Sequence, residues 1–430
     1  MKNGLLAIVC VCVLPVEADL WIEGTTDRPP LDYRRGEPMV FTLTLKGDDT
    51  QASAGEILWE RTGDDGRVIT GRGSAAAPVV VKTALDRPGF VRVYAEVVET
   101  GGDFRAHDDL KSKAGVVFFD GGAAAEPKSL QPARPEPSDF DDFWARRKAE
   151  LAAVPMVATR TAVDSPDPEV HLYALSVTCA GPRPATGYLS IPKKPGTYPG
   201  VMTFWGYGSS WGKAATRPPE KVARDEIRIV LSAHGFELGR EASYYTAFRK
   251  SVSKNGHGHA FDPDENAKPE TAYFGGMSWR VMRALEYLKS LPEWNGRDLT
   301  VTGGSQGALQ ALWGAALVPG VTAANISIPW CCDVGGPAAG RNHGTWYPAW
   351  APGLDYYDQV HMARRVPRTC HVTIGRVGLG DYIAPPCGAV ILYNRLYCPK
   401  SITWVQGSTH LHVPPKAQRM TWRDAPQATN

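Results

Sequence analysis

Residues Gly303-Gly304-Ser305-Gln306-Gly307 form a G-x-S-x-G pentapeptide, a spacing that suits a serine hydroxyl to nucleophilic attack. A serine on a sharp strand-to-helix turn has a strained backbone, and the chains passing beside it leave room only for glycine. The flanking sequence fits such a turn. Asp298-Leu-Thr-Val-Thr302 reads as a short buried strand, and Ala308-Leu-Gln-Ala-Leu-Trp-Gly-Ala-Ala-Leu317 as a helix. The N-terminus of that helix favours negative charge developing at the serine. Glycine makes up 44 of the 430 residues, so the pentapeptide alone also fits a plain glycine-rich turn; its strand–turn–helix setting gives it weight.

A serine hydroxyl becomes reactive when a histidine takes its proton and a carboxylate orients that histidine. On a scaffold with this kind of turn the chain order is serine, then acid, then histidine. The histidines after Ser305 are His343, His361, His371, His410 and His412. His410 and His412 follow the strand-like run Ile402-Thr-Trp-Val-Gln406 in a short loop; His410 is nearer the strand end and is the favoured base, with His412 the alternative. His371 lies inside a strand-like run and reads as a core residue. For the acid, Asp381 sits just past the strand His371 to Val377, from which a carboxylate reaches a histidine after the next strand. Asp333, one strand earlier, is the alternative, while Asp355 and Asp358 read as surface residues of an irregular Tyr- and Trp-rich stretch.

Acyl transfer also needs two donors aimed at the tetrahedral oxyanion. The backbone amide of Gln306 is one candidate. The amide of Tyr207 is the other, because Gly206 and Gly208 let the chain Phe204-Trp-Gly-Tyr-Gly208 bend inward. Trp205, Trp211, Trp346 and Trp350 are candidates to wall an acyl pocket or stack on a sugar ring, with packing as the plainer role for each.

These residues need elements to hold them. Strand-like runs at 170–177, 187–191, 200–204, 227–232, 299–302, 323–328, 371–377 and 402–406 alternate with helical ones, including 278–291 ahead of the serine strand. Such alternation predicts an α/β fold with a doubly wound, mostly parallel sheet and helices on both faces. The catalytic domain is expected over 139–418, opening with an amphipathic helix from Asp139-Phe-Asp-Asp-Phe-Trp144 to about Ala153, and followed by a polar tail over 419–430. Residues 19–120 read as all-β: Met39-Val-Phe-Thr-Leu-Thr-Leu-Lys46 and Gly89-Phe-Val-Arg-Val-Tyr-Ala-Glu-Val97 alternate apolar and polar residues, and Val79-Val-Val81 and Gly115-Val-Val-Phe-Phe119 add strands. A small antiparallel sandwich is expected there, with Tyr33, Trp59 and Tyr94 as structural aromatics, joined by an Ala-, Pro- and Gly-rich linker over 121–138.

The formal net charge is +2 and no basic run stands out, which leaves nucleic-acid and anionic-membrane roles without electrostatic support. Lys2, the apolar run Leu5 to Leu14 and the Val16-Glu17-Ala18 site read as a cleaved signal peptide over 1–18, too short to span a bilayer. The expectation is a secreted or periplasmic protein without membrane insertion. Cys179, Cys331, Cys332, Cys370, Cys387 and Cys398 remain after cleavage; they contain no C-x-x-C pair and no zinc-like cluster, so neither metal nor cofactor is expected. The adjacent Cys331 and Cys332 read as buried at a strand end.

Four segments carry a family resemblance: Asp139-Phe-Asp-Asp-Phe-Trp144, Leu291-Pro-Glu-Trp-Asn-Gly296, Thr302-Gly-Gly-Ser-Gln-Gly307 and Val377-Gly-Leu-Gly-Asp-Tyr-Ile-Ala-Pro-Pro386. They resemble acetyl xylan esterase and cephalosporin-C deacetylase sequences of the α/β-hydrolase superfamily, over a stretch from about Asp139 to Pro415. The resemblance implies an O-deacetylase acting on acetylated oligo- or polysaccharides, with Ser305 as nucleophile, Asp381 as acid and His410 as base. It implies the Tyr207 and Gln306 amides as the oxyanion hole. The same scaffold also serves serine peptidases and other carboxylesterases, and a glycan-binding protein on an inactive hydrolase fold is the non-enzymatic alternative.

Overall fold

The computed structural model describes residues 20–47, 54–105, 115–414 and 416–425, so the expected signal peptide lies outside the described residues. Seven strands come first: β1 (Trp21–Thr26), β2 (Met39–Lys46), β3 (Glu56–Gly63), β4 (Ile69–Ser74), β5 (Val79–Thr83), β6 (Gly89–Val98) and β7 (Phe118–Ala125). They pair antiparallel in two sheets, of order β1-β2-β5 and β4-β3-β6-β7. Period-two alternation sends Phe41 and Leu43 from one sheet, and Val91, Val93 and Ala95 from the other, into a shared core.

Strand β6 is buried along its whole length. Its polar row does not face water as the alternation suggests; it meets the C-terminal half of the chain. Phe90 packs on Trp404 with ring centroids 5.9 Å apart, and the Arg92 guanidinium lies 4.7 Å over the Tyr382 ring. Arg92 also pairs with Asp120 of β7 through contacts of 2.8 and 2.6 Å. Strand β7 runs through the first five residues of the expected linker. The small side chains there serve close approach rather than flexibility: a Cβ on Gly122 would meet the Val91 carbonyl oxygen at 2.3 Å and that of Leu379 at 3.0 Å.

The second half opens with helix α1 (Phe140–Ala152) and strands β8 (Ala158–Val163), β9 (Val170–Val177), β10 (Ala185–Pro192), β11 (Tyr198–Phe204) and β12 (Ile227–Leu231). Helices α2 (Ala242–Ser251) and α3 (Tyr273–Lys289) precede β13 (Trp294–Gly304), and α4 (Gln306–Leu317) follows it. Strands β14 (Ala323–Ser327) and β15 (His371–Gly378), helix α5 (Pro386–Arg395), β16 (Lys400–Val405) and β17 (Arg419–Asp424) complete the order. The ten strands form one sheet, β17-β16-β15-β14-β13-β11-β12-β10-β9-β8. Strands β11 to β16 are mutually parallel, and β8, β9, β10 and β17 extend the two edges through antiparallel pairings. The chain passes outward from β11 to β12 and returns to β13, so a crevice opens at the C-terminal ends of β11 and β13.

The expectation of helices on both faces needs correction. Met202, Phe204, Ile229, Leu299, Val301, Ile326, Ile374 and Ile402 form one buried row set, covered by α3, α4 and α5. The opposite row is polar: Thr203, Thr302, Asn325, Thr373 and Ser401 stand in register across the sheet. Asn325 and Thr373 are exposed, and among the described residues no helix covers this face over β13 to β16. A single helical turn, Lys213–Thr216, covers only the β10 end, where the Tyr188 hydroxyl donates to the Thr216 carbonyl at 3.2 Å. Parallel strands buried on both faces read as continuous apolar runs. Here each central strand alternates, as in Leu299-Thr-Val-Thr302 and Val372-Thr-Ile374, and one of its faces is made for water.

The same alternation accounts for two further differences. His371, expected in the core, is exposed because Val372 and Ile374 take the apolar side. The expected polar tail contains β17, which pairs with β16 because Met420 and Trp422 alternate with its polar residues; Trp422 packs on Trp404 at 5.3 Å. Residues 426–430 lie outside the described set. No helix of the described residues is long and apolar enough to cross a membrane.

The seam between the halves is open to test. The Asp120 side chain is 0% exposed, and removing it takes the paired carboxylate from a buried guanidinium. Asp120→Ala is expected to lower the unfolding free energy by about 3–5 kcal/mol, read by urea denaturation. A loss below about 1 kcal/mol would mean that the pair does not hold the seam.

Candidate active site

Ser305 joins β13 to α4 with φ 57° and ψ −122°, a left-handed backbone that a residue with a Cβ adopts only under tertiary constraint. Close packing supplies that constraint. A Cβ on Gly303 would stand 2.4 Å from the Gly307 carbonyl carbon, and one on Gly307 would stand 2.4 Å from the Phe204 carbonyl oxygen. The Ser305 amide is tied to the Ser327 carbonyl oxygen at 3.1 Å. The hydroxyl is left at the C-terminal edge of the sheet, over the N-terminus of α4.

His410 follows β16, and Asp381 follows β15. His410 Nε2 lies 3.0 Å from Ser305 Oγ, and His410 Nδ1 lies 2.8 Å from Asp381 Oδ2. Each partner is anchored from behind. Asp381 Oδ1 accepts the amides of Ile383 (3.1 Å) and Ala384 (2.9 Å), leaving Oδ2 for the imidazole. The His410 carbonyl accepts Arg376 Nη2 at 3.0 Å. With the carboxylate on Nδ1, the Nδ1–H tautomer leaves the Nε2 lone pair facing the serine proton. The Asp381 side chain is 1% exposed and that of His410 11%, so the bonds are sheltered from water while the imidazole edge stays reachable.

The N-terminal sandwich holds both loops. A Cβ on Gly380 would meet the Asp120 carbonyl oxygen at 2.0 Å, so the backbone beside Asp381 lies directly on β7. The Gln406 side chain, at the root of the His410 loop, both accepts from the Gly122 amide and donates to its carbonyl, each at 2.9 Å.

The two expected oxyanion segments converge on the serine. A Cβ on Gly206 would lie 3.6 Å from that of Ser305, which puts the start of the Gly206–Tyr207 turn beside the serine. The Gln306 amide is the first of α4 and has no intrahelical acceptor. Tyr207 is buried, its ring edge-on to Phe261 (5.6 Å), Trp330 (5.8 Å) and Trp346 (5.0 Å). Of the four tryptophans considered as pocket walls, Trp346 stands here. Trp211 stacks on His234 at 3.7 Å, and Trp350 lies under the Arg134 guanidinium and donates to Asp355. Trp205 takes part through its carbonyl, which accepts Gln310 Nε2 at 3.3 Å.

The alternatives stand elsewhere. The His412 ring packs 5.1 Å from Phe118, and Asp333 is occupied by Arg341 and the Ala133 amide. Asp355 and Asp358, expected at the surface, are both buried. Asp358 is held there because it accepts the amides of Asp333, Val334 and Val360. Cys331 and Cys332 are buried just past β14, and all six described cysteines are free thiols. Among the described residues no group of three or more His, Cys, Asp or Glu is arranged to hold a metal ion. A search confined to histidines after Ser305 passes over His234 and His259, which lie buried beneath the Tyr207 turn.

Comparison with known proteins gives a consistent picture. Residues 124–335 match the acetyl xylan esterase family. The chain is 30% identical over 290 residues to the acetyl esterase Axe7A of Xylanibacter ruminicola, covering 64% of this chain and 63% of that protein. It thus spans less than two thirds of that relative's length. Among solved structures, the acetyl xylan esterase from Paenibacillus sp. R4 superposes with a TM-score of 0.54 at 22% identity, over 67% of this chain and 94% of the other. Acetyl xylan esterase 1 from Thermoanaerobacterium sp. JW/SL YS485 gives 0.55 at 20% identity over the same shares, 67% and 94%. At these identities the structures speak to the fold.

Three buried histidines set an acid limit on the folded state. Burial holds His259 neutral down to about pH 3, with smaller contributions from nearby arginines, and holds His361 neutral down to about pH 4. Burial likewise pushes His234 well below the usual range. The unfolded chain binds these protons near pH 6.5, so stability is complete above that value and falls as the pH drops toward 4. Each histidine contributes a slope of about 1.4 kcal/mol per pH unit in that window. Melting temperatures measured between pH 7 and 4 should fall steadily; a flat profile would mean that these histidines are charged in the fold.

Proposed function

We propose, from the match of residues 124–335 to the acetyl xylan esterase family, that the chain is a serine esterase that removes acetyl groups from O-acetylated carbohydrate. One observation carries the reading: the unbroken line from Asp381 through His410 to Ser305, with contacts of 2.8 and 3.0 Å.

His410 takes the proton from Ser305 Oγ as the oxygen attacks the acetyl carbonyl. Asp381 stabilises the resulting imidazolium without taking its proton. The carbonyl oxygen, now negative, is met by the amides of Gln306 and Tyr207 at the positive end of α4. The tetrahedral species collapses to an acetyl-serine, and the sugar oxygen leaves with the proton held on His410 Nε2. Water then enters, gives a proton to His410 and releases acetate, restoring the serine. The substrate class proposed is acetylated xylan or its oligosaccharides. Half-buried Phe261 and Trp346 beside the Tyr207 turn offer ring faces on which a sugar can lie. Lys2, the apolar run and the Ala18 site support export of the mature protein.

Acetate release from an acetylated xylo-oligosaccharide tests the reading. Ser305→Ala should keep the wild-type melting temperature and lose nearly all release. Asp381→Asn should fold and lose about 10⁴-fold in kcat, as expected when the carboxylate that fixes the imidazole tautomer is neutralised. Release that persists in Ser305→Ala would move the nucleophile elsewhere.

A further inference from the structure

Both segments that supply the oxyanion amides are gripped by one side chain that takes no part in the proton transfers. His259 is 2% exposed and lies in the connection between α2 and α3. Its Nε2 is 3.0 Å from Gln306 Oε1. Its ring stacks on the Tyr207 ring with centroids 3.9 Å apart and an interplanar angle of 7°. Its own carbonyl accepts the Tyr207 hydroxyl at 3.0 Å.

The backbone around His259 is shaped for this contact. A Cβ on Gly258 would stand 2.5 Å from the Tyr207 hydroxyl, so only glycine leaves room for that bond. Ala260 is fully buried with φ 65°, a conformation that residues with a Cβ avoid unless the surroundings demand it. Asn266 Nδ2 secures the turn by donating to the Ala260 carbonyl at 2.9 Å. Behind the same two segments, Gln310 Nε2 bridges the carbonyls of Trp205 and Gln306, each at 3.3 Å. Gln310 thus ties the backbones together, and His259 ties the side chains.

We propose that His259 is a positioning residue: its imidazole fixes the spacing of the Tyr207 and Gln306 amides by clamping the side chains of both. The inference rests on the reading of Ser305 as nucleophile and of those amides as the oxyanion hole. A glutamine Oε1 only accepts, so His259 Nε2 carries the proton. Burial, which holds this imidazole neutral down to about pH 3, keeps it from adding a charge that would oppose the imidazolium forming at His410. The clamp therefore acts on geometry. Its energetic effect appears where the amides must meet an oxyanion and not where they meet a ground-state ester.

The test uses the full chain and compares wild type with His259→Phe, Gln306→Met, the double variant and Ser305→Ala. His259→Phe keeps an aromatic ring on Tyr207 and deletes the bond to Gln306; Gln306→Met cuts the same bond from the other end. Each single variant should lose about tenfold or more in kcat, short of the 10²–10³-fold seen when an oxyanion donor is removed outright. KM should stay within about twofold, the signature of an interaction made in the transition state. The rate of inactivation by a serine-directed phosphonate, whose phosphoryl oxygen occupies the same hole, should fall in parallel with kcat. The pH profile of kcat should keep its wild-type midpoint, because His259 does not titrate in the assay range. The double variant should fall no further than the worse single one. Wild-type kcat in the folded single variants, a loss confined to KM, or fully additive losses would each overturn the clamp. If His259→Phe does not fold, Gln306→Met alone decides by the same readings. Acetate release that survives in Ser305→Ala would instead overturn the esterase reading beneath it.

Discussion

The Phe204 carbonyl oxygen occupies the space where a side chain on Gly307 would have to be, and the rest of the site depends on that contact. At Gly307 the end of β11 and the start of α4 meet backbone to backbone. This holds α4 close enough to the sheet to force Ser305 into its left-handed conformation at φ 57°. The same closeness brings Gly206 beside the serine and turns the first amide of α4 toward the crevice. The crevice exists because the chain crosses from β11 to β12 and back to β13. The serine turn, the two amide segments beside it and the crevice are thus three outcomes of one strand-order reversal packed without clearance.

The N-terminal sandwich is part of the same construction. Its β6–β7 face carries Arg92, Tyr94, Glu96 and Asp120, residue types that belong at a surface, yet the structure buries them. Arg92 and Asp120 pair with each other, and the Tyr382 ring covers the guanidinium. Through Gly380 and Gln406 this face reaches the two loops that carry Asp381 and His410. The imidazole and its carboxylate are therefore set by contacts from both halves of the chain, and the sandwich acts as a wall of the site instead of a tethered module.

Much of this was legible in the residues. The G-x-S-x-G turn, the serine–acid–histidine order and the strand at 170–177 are local signals, and the structure places strand β9 at Val170–Val177. What escaped was tertiary. The Thr and Asn rows of β13 to β15 do alternate, but the expectation for parallel sheets, buried on both faces, outweighed the pattern. The charged row of β6 reads as solvent-facing until its partner surface is known. Asp358 looks exposed because the amides that hold it come from Asp333 and Val334, 25 and 24 residues away. His259 lies 47 residues before Gln306, in a loop with no periodicity to mark it.

The uncovered polar face of the central sheet makes the molecule two-sided in its tolerance for change. On the helix side, Leu299, Val301 and Ile326 are fixed by the volume available to them. On the other side, Asn325 and Thr373 project into water and touch little besides their neighbours in the sheet. A lysine or cysteine installed there would give a handle for attaching the protein to a solid support away from the strand ends where the crevice opens. Immobilisation chemistry can therefore be written onto one side of the sheet while the packing that shapes the serine stays on the other.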